Sequence, residues 1–271
     1  MSTISTASRL QAARLTLAYE QKVIASDLSV SIPDKQFTVI IGPNACGKST
    51  LLRALCRLLK PRDGQVLLDG KDIHQLGTKA LARQLGLLPQ HAIVPEGISV
   101  ADLVARGRYP HQSLRKQWSE ADRQAVDAAM AATNVAQLAD RSVDELSGGQ
   151  RQRVWVAMVL AQQTPLLLLD EPTTWLDIAH QIELLDLFRQ LNQQAGHTLI
   201  AVLHDLNQAC RYADHLIVMH SGQIVAQGKP AEIISAQLVQ QVFGMSSVII
   251  DDPVSHTPLI VPCGRYHPAP V

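Results

Sequence analysis

The chain has 271 residues, 46% of them hydrophobic, and its 24 basic and 24 acidic side chains give a formal net charge of zero. This composition excludes a mainly disordered chain, and the neutral balance argues against nucleic acid as the main partner. Four cysteines without metal-ligand spacing exclude a disulfide framework and favour reduced thiols.

Membrane-spanning and export signals are not found in the sequence. No run approaches the roughly 18 apolar residues that predict a transmembrane helix, and the first fifteen residues contain no apolar core of a signal peptide. Any membrane part of the function is therefore expected to come from a separate chain.

Strand patterns dominate the beginning of the chain. Residues 10–18 and 28–32 alternate apolar and polar side chains, and residues 37–41 are a continuous apolar run before a glycine-rich turn. Residues 48–59 have helical apolar spacing, and residues 64–69 predict another short strand.

The middle of the chain is helical, and strands return after it. Residues 91–145, with helical patterns at 100–106 and 120–133, predict an inserted helical subdomain. Later elements alternate in type, which predicts a parallel sheet flanked by helices. They are a strand at 166–169, a helix at 178–194, a strand at 198–203, a short helix and a strand at 216–219. Residues 246–271 have no assigned element.

A phosphate-binding loop is the strongest motif. It fits G-x-x-x-x-G-K-[ST] and lies between a predicted strand and a predicted helix, which is the context that the motif requires. Backbone N–H groups would curl around the phosphates, Lys48 would pair with the β- and γ-phosphates, and the Ser49 hydroxyl would hold Mg²⁺. The ATP-binding loop comprises Gly42, Pro43, Asn44, Ala45, Cys46, Gly47, Lys48, Ser49 and Thr50.

Two adjacent carboxylates follow the apolar strand at 166–169. Parallel strands present ligand sites at their carboxyl ends, so Asp170 is expected to reach Mg²⁺. Glu171 is expected to orient or deprotonate the attacking water. The pair is a weak motif alone and becomes a strong one after the phosphate-binding loop.

A third motif identifies the family by resemblance. Ser147, Gly148, Gly149 and Gln150, which follow Leu146, resemble the signature sequence of ABC ATPases. Ser147 also predicts the N-cap of a helix that runs to about residue 161, and a capped, glycine-containing helix start is itself an anion site. In the family, this site meets ATP held by the other protomer.

The resemblance covers about residues 10–240, within an expected ABC ATPase domain at 10–245, and implies further roles. Tyr19 would stack on adenine, Gln90 would touch Mg²⁺ and sense a membrane subunit, His204 would lie near the γ-phosphate, and Asp177 would communicate across a dimer. Glu171, His204 and Gln90 form the expected catalytic set. The implied fold is an α/β P-loop NTPase, an ABC-type nucleotide-binding domain with an antiparallel β subdomain and an inserted helical subdomain.

Three positions depart from the family pattern or invite a separate hypothesis. Ala45 stands where such ATPases often have glycine, and would cost about 1 kcal/mol if the backbone there has a positive φ. Trp175 replaces a small residue. Cys46, beside Lys48 and near a helix start, predicts a lowered thiol pKa and alkylation that ATP prevents. The alternative of an inert small residue stays open for Cys46.

Four segments narrow the resemblance to the ATPases of ferric-siderophore importers: residues 105–112, 171–177, 204–212 and 249–253. That subfamily implies ATP and Mg²⁺ as cofactors and a homodimer docked on two inner-membrane permease subunits. It also implies a periplasmic siderophore-binding protein as an indirect partner and a peripheral location on the cytoplasmic face of the bacterial inner membrane. The implied cargo is ferric enterobactin or a related catecholate.

Other functions remain as alternatives. The cargo rests on resemblance alone, and vitamin B12 or haem importers use near relatives. A soluble ABC ATPase of translation or DNA repair would commonly have two cassettes or a long coiled-coil insert, and neither is found in the sequence. A P-loop kinase has no use for the signature at residues 146–150.

Overall fold

A computed structural model describes residues 8–90, 95–113 and 118–264 of the chain. The described residues divide into two compact units. The first unit is formed from Met1–His74 and Ile200–Val271, and the second from Gln75–Leu199.

The elements follow the chain in an order in which strands and helices alternate. Up to residue 90 they are β1 (Leu10–Tyr19), β2 (Lys22–Ile32), β3 (Phe37–Ile41), α1 (Lys48–Leu55), β4 (Asp63–Leu68), β5 (Lys71–Asp72), α2 (Thr78–Ala82) and β6 (Leu85–Leu88). Then come α3 (Val100–Ala105), α4 (Glu120–Ala132), α5 (Gly148–Ala161), β7 (Leu166–Asp170) and α6 (Ile178–Ala195), with three 3₁₀ helices at Arg106–His111, Ala136–Leu138 and Val143–Glu145. The last elements are β8 (Thr198–Val202), α7 (Leu206–Tyr212), β9 (His215–His220), β10 (Gln223–Gly228), α8 (Pro230–Ile233), α9 (Ala236–Phe243), β11 (Ser247–Asp251) and β12 (Pro258–Pro262).

An antiparallel sheet of strand order β2-β1-β4-β5 lies in the first unit. The predicted strand at 28–32 is longer than expected, because β2 begins at Lys22. The first half of β2 does not alternate regularly between apolar and polar residues, because the register of β1 against β2 shifts three times and Asp27 has a φ of 54°. The sheet is the antiparallel β subdomain that the sequence predicts.

The phosphate-binding loop of the first unit is attached to a mixed arrangement with strand order β10-β9-β3-β8, in which β10 pairs antiparallel with β9. All five residues of β3 are buried, as the apolar run predicts, and β3 pairs in parallel with β9. The strand passes directly into the glycine-rich turn and then into α1, so the turn starts from a rigid support.

The second unit combines a parallel pair with a helical cluster. Strands β6 and β7 pair in parallel from Leu85 and Leu166 to Leu88 and Leu169. Helices α3, α4 and α5 pack around a shared apolar core that includes Val104, Val126 and Val154. This cluster contains the predicted helical subdomain and continues past its predicted end at residue 145, because α5 belongs to it. Residues 91–94 and 114–117 of the predicted insert lie outside the described residues.

A β-hairpin ends the described chain, in the region to which the sequence assigned no element. Strands β11 and β12 pair antiparallel, with Ile249 opposite Ile260. The prolines at both ends of β12 and the absence of apolar–polar alternation in β11 hide these strands from a pattern search. The hairpin packs on α7 within the first unit.

Candidate functional site: the nucleotide-binding motifs

The predicted site residues fall in both units. The phosphate-binding loop, Tyr19 and His204 belong to the first unit. The second unit contains Gln90, Asp170, Glu171, Asp177 and the signature motif at residues 147–150.

The phosphate-binding loop is closely packed at its first glycine. Gly42 has a φ of 154°, and a Cβ placed there would lie 2.2 Å from the Met219 carbonyl oxygen. Gly47, with a φ of 107°, is the N-cap of α1. A side chain at Gly42 would push the loop off its supporting strand, so the loop backbone can curl as the motif requires only with glycine there.

Lys48 is folded into the loop. Its side chain is buried, and Nζ donates hydrogen bonds to the carbonyl oxygens of Gly42 (2.8 Å) and Pro43 (2.9 Å). One ammonium group is therefore held at the start of an eight-residue helix whose first N–H groups lack helical acceptors. This arrangement suits a phosphate group.

Ala45 has a φ of 61°, which is the left-handed conformation whose cost the sequence analysis anticipated for a non-glycine residue. The strain is about 1 kcal/mol and falls on the phosphate-binding loop itself.

The prediction of a lowered Cys46 pKa is wrong. Cys46 is buried, and loss of hydration raises the pKa of its thiol, with the nearby Lys48 charge acting in the opposite direction. The sequence showed the neighbouring charge and the helix start, but it could not show that the sulfur points inward, toward Gly42. Desolvation is the larger of the two effects at this buried thiol, because burial disfavours the charged thiolate.

Tyr19 is 41% exposed, as a ring that stacks on a base requires. Arg53, on the second turn of the helix after the loop, donates a hydrogen bond from Nη1 to the Tyr19 hydroxyl oxygen at 3.3 Å. The sequence analysis missed Arg53, since its spacing from Tyr19 carries no signal without the fold.

Gln90 and Glu171, which are 81 residues apart, meet in the second unit. The Gln90 side-chain amide donates to Glu171 Oε2 at 2.6 Å. Asp170 is buried at the end of β7, and Glu171 follows it with a φ of 53°, a strained backbone that turns its carboxylate out of the strand direction. Two of the three predicted catalytic residues are thus in direct contact.

The signature motif forms the predicted capped helix start. The Ser147 hydroxyl accepts from the Gln150 N–H, and the Gln150 side-chain oxygen accepts from the Ser147 N–H, which is a capping box at the start of α5. Gly148 and Gly149 pack against Trp175 and Leu176, with a Cβ at Gly149 reaching 3.2 Å from Leu176. The glycines therefore leave room for the loop that contains Asp177.

Asp177 caps the next helix. Its carboxylate accepts from the His180 N–H at 2.9 Å and contacts His180 Nδ1 at 2.8 Å, and these bonds lower the pKa of Asp177. Sequence reasoning had missed His180. Trp175 and Ile178, on either side of this loop, are 73% and 78% exposed, which leaves two large apolar side chains at the surface of the second unit.

His204 lies in the three-residue link between β8 and α7, and its side chain is exposed. The link begins at the sheet, where Leu203 N–H donates to the Ile40 carbonyl oxygen at 3.3 Å. It ends at Asp205, whose carboxylate caps α7 by accepting from the Gln208 N–H at 2.9 Å. A fixed strand and a capped helix therefore bracket His204.

The segment Arg106–His111, part of the stretch 105–112 that resembles siderophore-importer ATPases, is partly internal. Arg108 is buried, forms a 2.8 Å ion pair with buried Asp122, and donates to the Ala161 carbonyl oxygen at 2.7 Å. Tyr109 is exposed, with Lys79 Nζ 4.7 Å from its ring centroid. Much of this motif thus stabilises the helical cluster, and Tyr109 is its prominent surface residue.

The comparison with protein families agrees with the motifs. The family model described as ABC transporter matches residues 25–174, a region that contains the loop, Gln90, the signature and Glu171. The chain belongs to the ABC transporter family, as an ATP-binding subunit.

Individual relatives are similar over almost their full length. The chain is 58% identical over 262 residues to the ferric enterobactin transport ATP-binding protein FepC of Escherichia coli strain K12, covering 97% of each chain. It is 55% identical to the achromobactin transport ATP-binding protein CbrD of Dickeya dadantii, covering 94% of each. Among solved structures, an inward-facing metal-chelate type ABC transporter matches with a TM-score of 0.81 and 26% identity, covering 96% of this chain and 98% of that one. No described helix is long and apolar enough to cross a membrane.

Proposed function

We propose that this chain is the ATP-hydrolysing subunit of an importer that brings a ferric siderophore, ferric enterobactin or a related catecholate, across the bacterial inner membrane. The observation that carries this proposal is the 58% identity over 97% of the chain to a ferric enterobactin transport ATP-binding protein. That identity extends across the helical cluster and the C-terminal hairpin.

ATP binding starts at the phosphate-binding loop. The N–H groups at the start of α1 and the ammonium of Lys48 would hold the β- and γ-phosphates, and the Tyr19 ring would stack on adenine. Lys48 donates to the loop carbonyls of Gly42 and Pro43, and binding a phosphate would replace these neutral acceptors with an anionic one.

Two copies of the chain would share each nucleotide. The start of α5, with the N–H groups of Gly148 and Gly149, would face the γ-phosphate held by the partner protomer. A symmetric pair of such sites follows from a two-fold dimer. The exposed Trp175 and Ile178 supply apolar surface beside this helix start, which a dimer interface would cover.

The residues proposed for Mg²⁺ fit that ion. The Ser49 hydroxyl, the Asp170 carboxylate and the Gln90 side-chain amide offer oxygen ligands, which Mg²⁺ prefers. Among the described residues no group of three or more His, Cys, Asp or Glu side chains could hold a metal by itself, in keeping with an ion bound together with the phosphates. When bound, Mg²⁺ neutralises charge on the β- and γ-phosphates.

Hydrolysis would depend on Glu171, His204 and Gln90. Glu171 would accept a proton from the attacking water, His204 would hold the γ-phosphate from the link before α7, and Gln90 would report the state of the permease. Gln90 donates to Glu171 Oε2, so this contact would orient the carboxylate that accepts the proton. The partners would be two permease subunits on the membrane and, through them, a periplasmic siderophore-binding protein.

The test is uptake of labelled iron in cells lacking this protein, complemented with the wild type, Glu171→Gln or Glu232→Gln. The control Glu232 is an exposed glutamate on α8, remote in sequence from the motifs. We expect wild type and Glu232→Gln to restore uptake of catecholate complexes, whereas Glu171→Gln binds ATP without turnover. Near-normal hydrolysis by Glu171→Gln would contradict the role of that residue. If uptake of vitamin B12 or haem depends on the protein and uptake of no siderophore complex does, the proposed cargo is wrong and the proposed ATPase activity stands.

A further inference from the structure

The helix after His204 is too short to define its own position. Helix α7 has seven residues, and isolated helices below about 12 residues are marginal in water. Its inner face buries Ala209, Cys210 and Tyr212. The orientation of α7, and with it the end of the link that contains His204, therefore depends on tertiary contacts.

The outer face of α7 is bonded to the C-terminal hairpin through Asn207. Its side-chain amide donates to the Ile260 carbonyl oxygen at 3.2 Å, and its side-chain oxygen accepts from the Ile260 N–H at 2.7 Å. Both backbone groups of Ile260 are satisfied by one side chain, as they would be by a neighbouring strand. This two-bond contact fixes the distance and the rotation of α7 against β12.

A second contact lies one helical turn further along the same face. Arg211, four residues after Asn207, forms an ion pair with Asp252 at the end of β11. Asp252 is buried and also accepts from the N–H groups of Val254 and Ser255 at 2.9 and 3.3 Å. The Asp252 carboxylate that pairs with Arg211 is therefore itself held in place by the hairpin turn.

We propose that the hairpin β11–β12 is a strap that sets the position of α7, and that Asn207, Arg211 and Asp252 are positioning residues for His204 in ATP hydrolysis. The proposal rests on the catalytic role proposed for His204. The strap lies beyond residues 25–174, the region that matches the ABC transporter family model.

The test measures ATP hydrolysis and nucleotide binding by the purified full-length chain. Arg211→Met and Asn207→Leu remove the two contacts, and Arg211→Lys keeps the charge. A misplacement near 1 Å can cost up to about 100-fold in rate, so we expect kcat to fall by about tenfold or more with KM for ATP changed less than about twofold. Arg211→Lys should recover part of the rate. Arg9→Met, which removes an exposed ion pair with Asp69 in the same unit, should leave kcat unchanged.

Combination with His204→Ala separates positioning from general loss of structure. If Arg211 acts through His204, Arg211→Met adds no further loss of kcat in the His204→Ala background. If Arg211→Met lowers kcat by the same factor with and without His204→Ala, the strap proposal is wrong. It is also wrong if Arg211→Met and Asn207→Leu are both folded by circular dichroism and both have an unchanged kcat. Neither result would contradict the proposed function. Full activity of His204→Ala would overturn the role of His204 itself, and the strap proposal with it.

Discussion

The buried pair of Arg108 and Asp122 gives the sharpest prediction about stability. Its atoms are 2.8 Å apart with side-chain exposures of 6% and 5%, and it joins the segment Arg106–His111 to α4. Arg108 Nη1 also donates to the Ala161 carbonyl oxygen and to Gln163 Oε1 at the end of α5. One side chain therefore ties three parts of the helical cluster together.

The change Arg108→Met keeps most of the aliphatic volume and removes the charge. Removing one partner of a buried pair costs about 3–5 kcal/mol, because the other charge remains buried without compensation. Asp122 also accepts from the Ser119 hydroxyl and N–H at 2.6 and 3.0 Å, so part of its charge stays solvated by the protein. We therefore expect a loss of about 3 kcal/mol in the free energy of unfolding, at the lower end of that range.

The matched control is Arg9→Met. The Arg9–Asp69 pair has the same 2.8 Å separation, but its side chains are 28% and 50% exposed. Exposed pairs contribute about 0–1 kcal/mol, so the control should lose less than about 1 kcal/mol. Urea unfolding of both variants measures the difference. Equal losses in the two variants would refute the argument that burial, and not distance, decides the contribution of these pairs.

Low pH should reduce the loss of stability that Arg108→Met causes. The hydrogen bond from Ser119, and after it the Arg108 contact, lowers the pKa of Asp122 below its ordinary 3.8. A carboxylate with a depressed folded-state pKa contributes stability above the unfolded pKa and loses it as the pH falls through the folded value. The difference between wild type and variant should therefore be largest near neutral pH, begin to shrink near pH 3.8, where the carboxyl of the unfolded chain is protonated, and be lost as the pH falls through the lower folded-state pKa. A constant difference in the free energy of unfolding between wild type and Arg108→Met down to acidic pH would contradict this expectation.

Two predictions concern the phosphate-binding loop. Ala45→Gly relieves left-handed strain but adds about 0.4–1 kcal/mol of chain entropy to the unfolded state, so the free energy of unfolding should change by less than about 1 kcal/mol. Ala45→Val should destabilise clearly, because a β-branched residue is a strained outlier at this φ; equal urea midpoints for Val and Ala would refute it. With its thiol pKa raised by burial, Cys46 should be alkylated at neutral pH more slowly than the partly exposed Cys263, as peptide mapping after limited iodoacetamide treatment would show. Rapid, ATP-protected modification of Cys46 would restore the original hypothesis.

The sequence predicted the features that are local in the chain. The phosphate-binding loop, the capped start of α5 and the apolar strands β3 and β7 each depend on residues within about ten positions of one another. Their periodicity and spacing are therefore visible without the fold. The roles of Tyr19 and His204 came from resemblance, and they stay predictions.

Contacts between distant residues were not predictable. The bond between Gln90 and Glu171 crosses 81 positions, and the link between Asn207 and Ile260 crosses 53. Burial direction was also hidden: Arg108 and Cys46 look like a surface arginine and a reactive thiol, and both point inward. A sequence gives the charge of a side chain, whereas its solvation depends on neighbours that only folding supplies.

The hydrogen bond between Gln90 and Glu171 bears on how a permease could influence the site of hydrolysis. Under the proposed roles, the carboxylate that would activate water is held by the residue that senses the permease. A movement of the permease would then reach that carboxylate through a single amide contact within one chain.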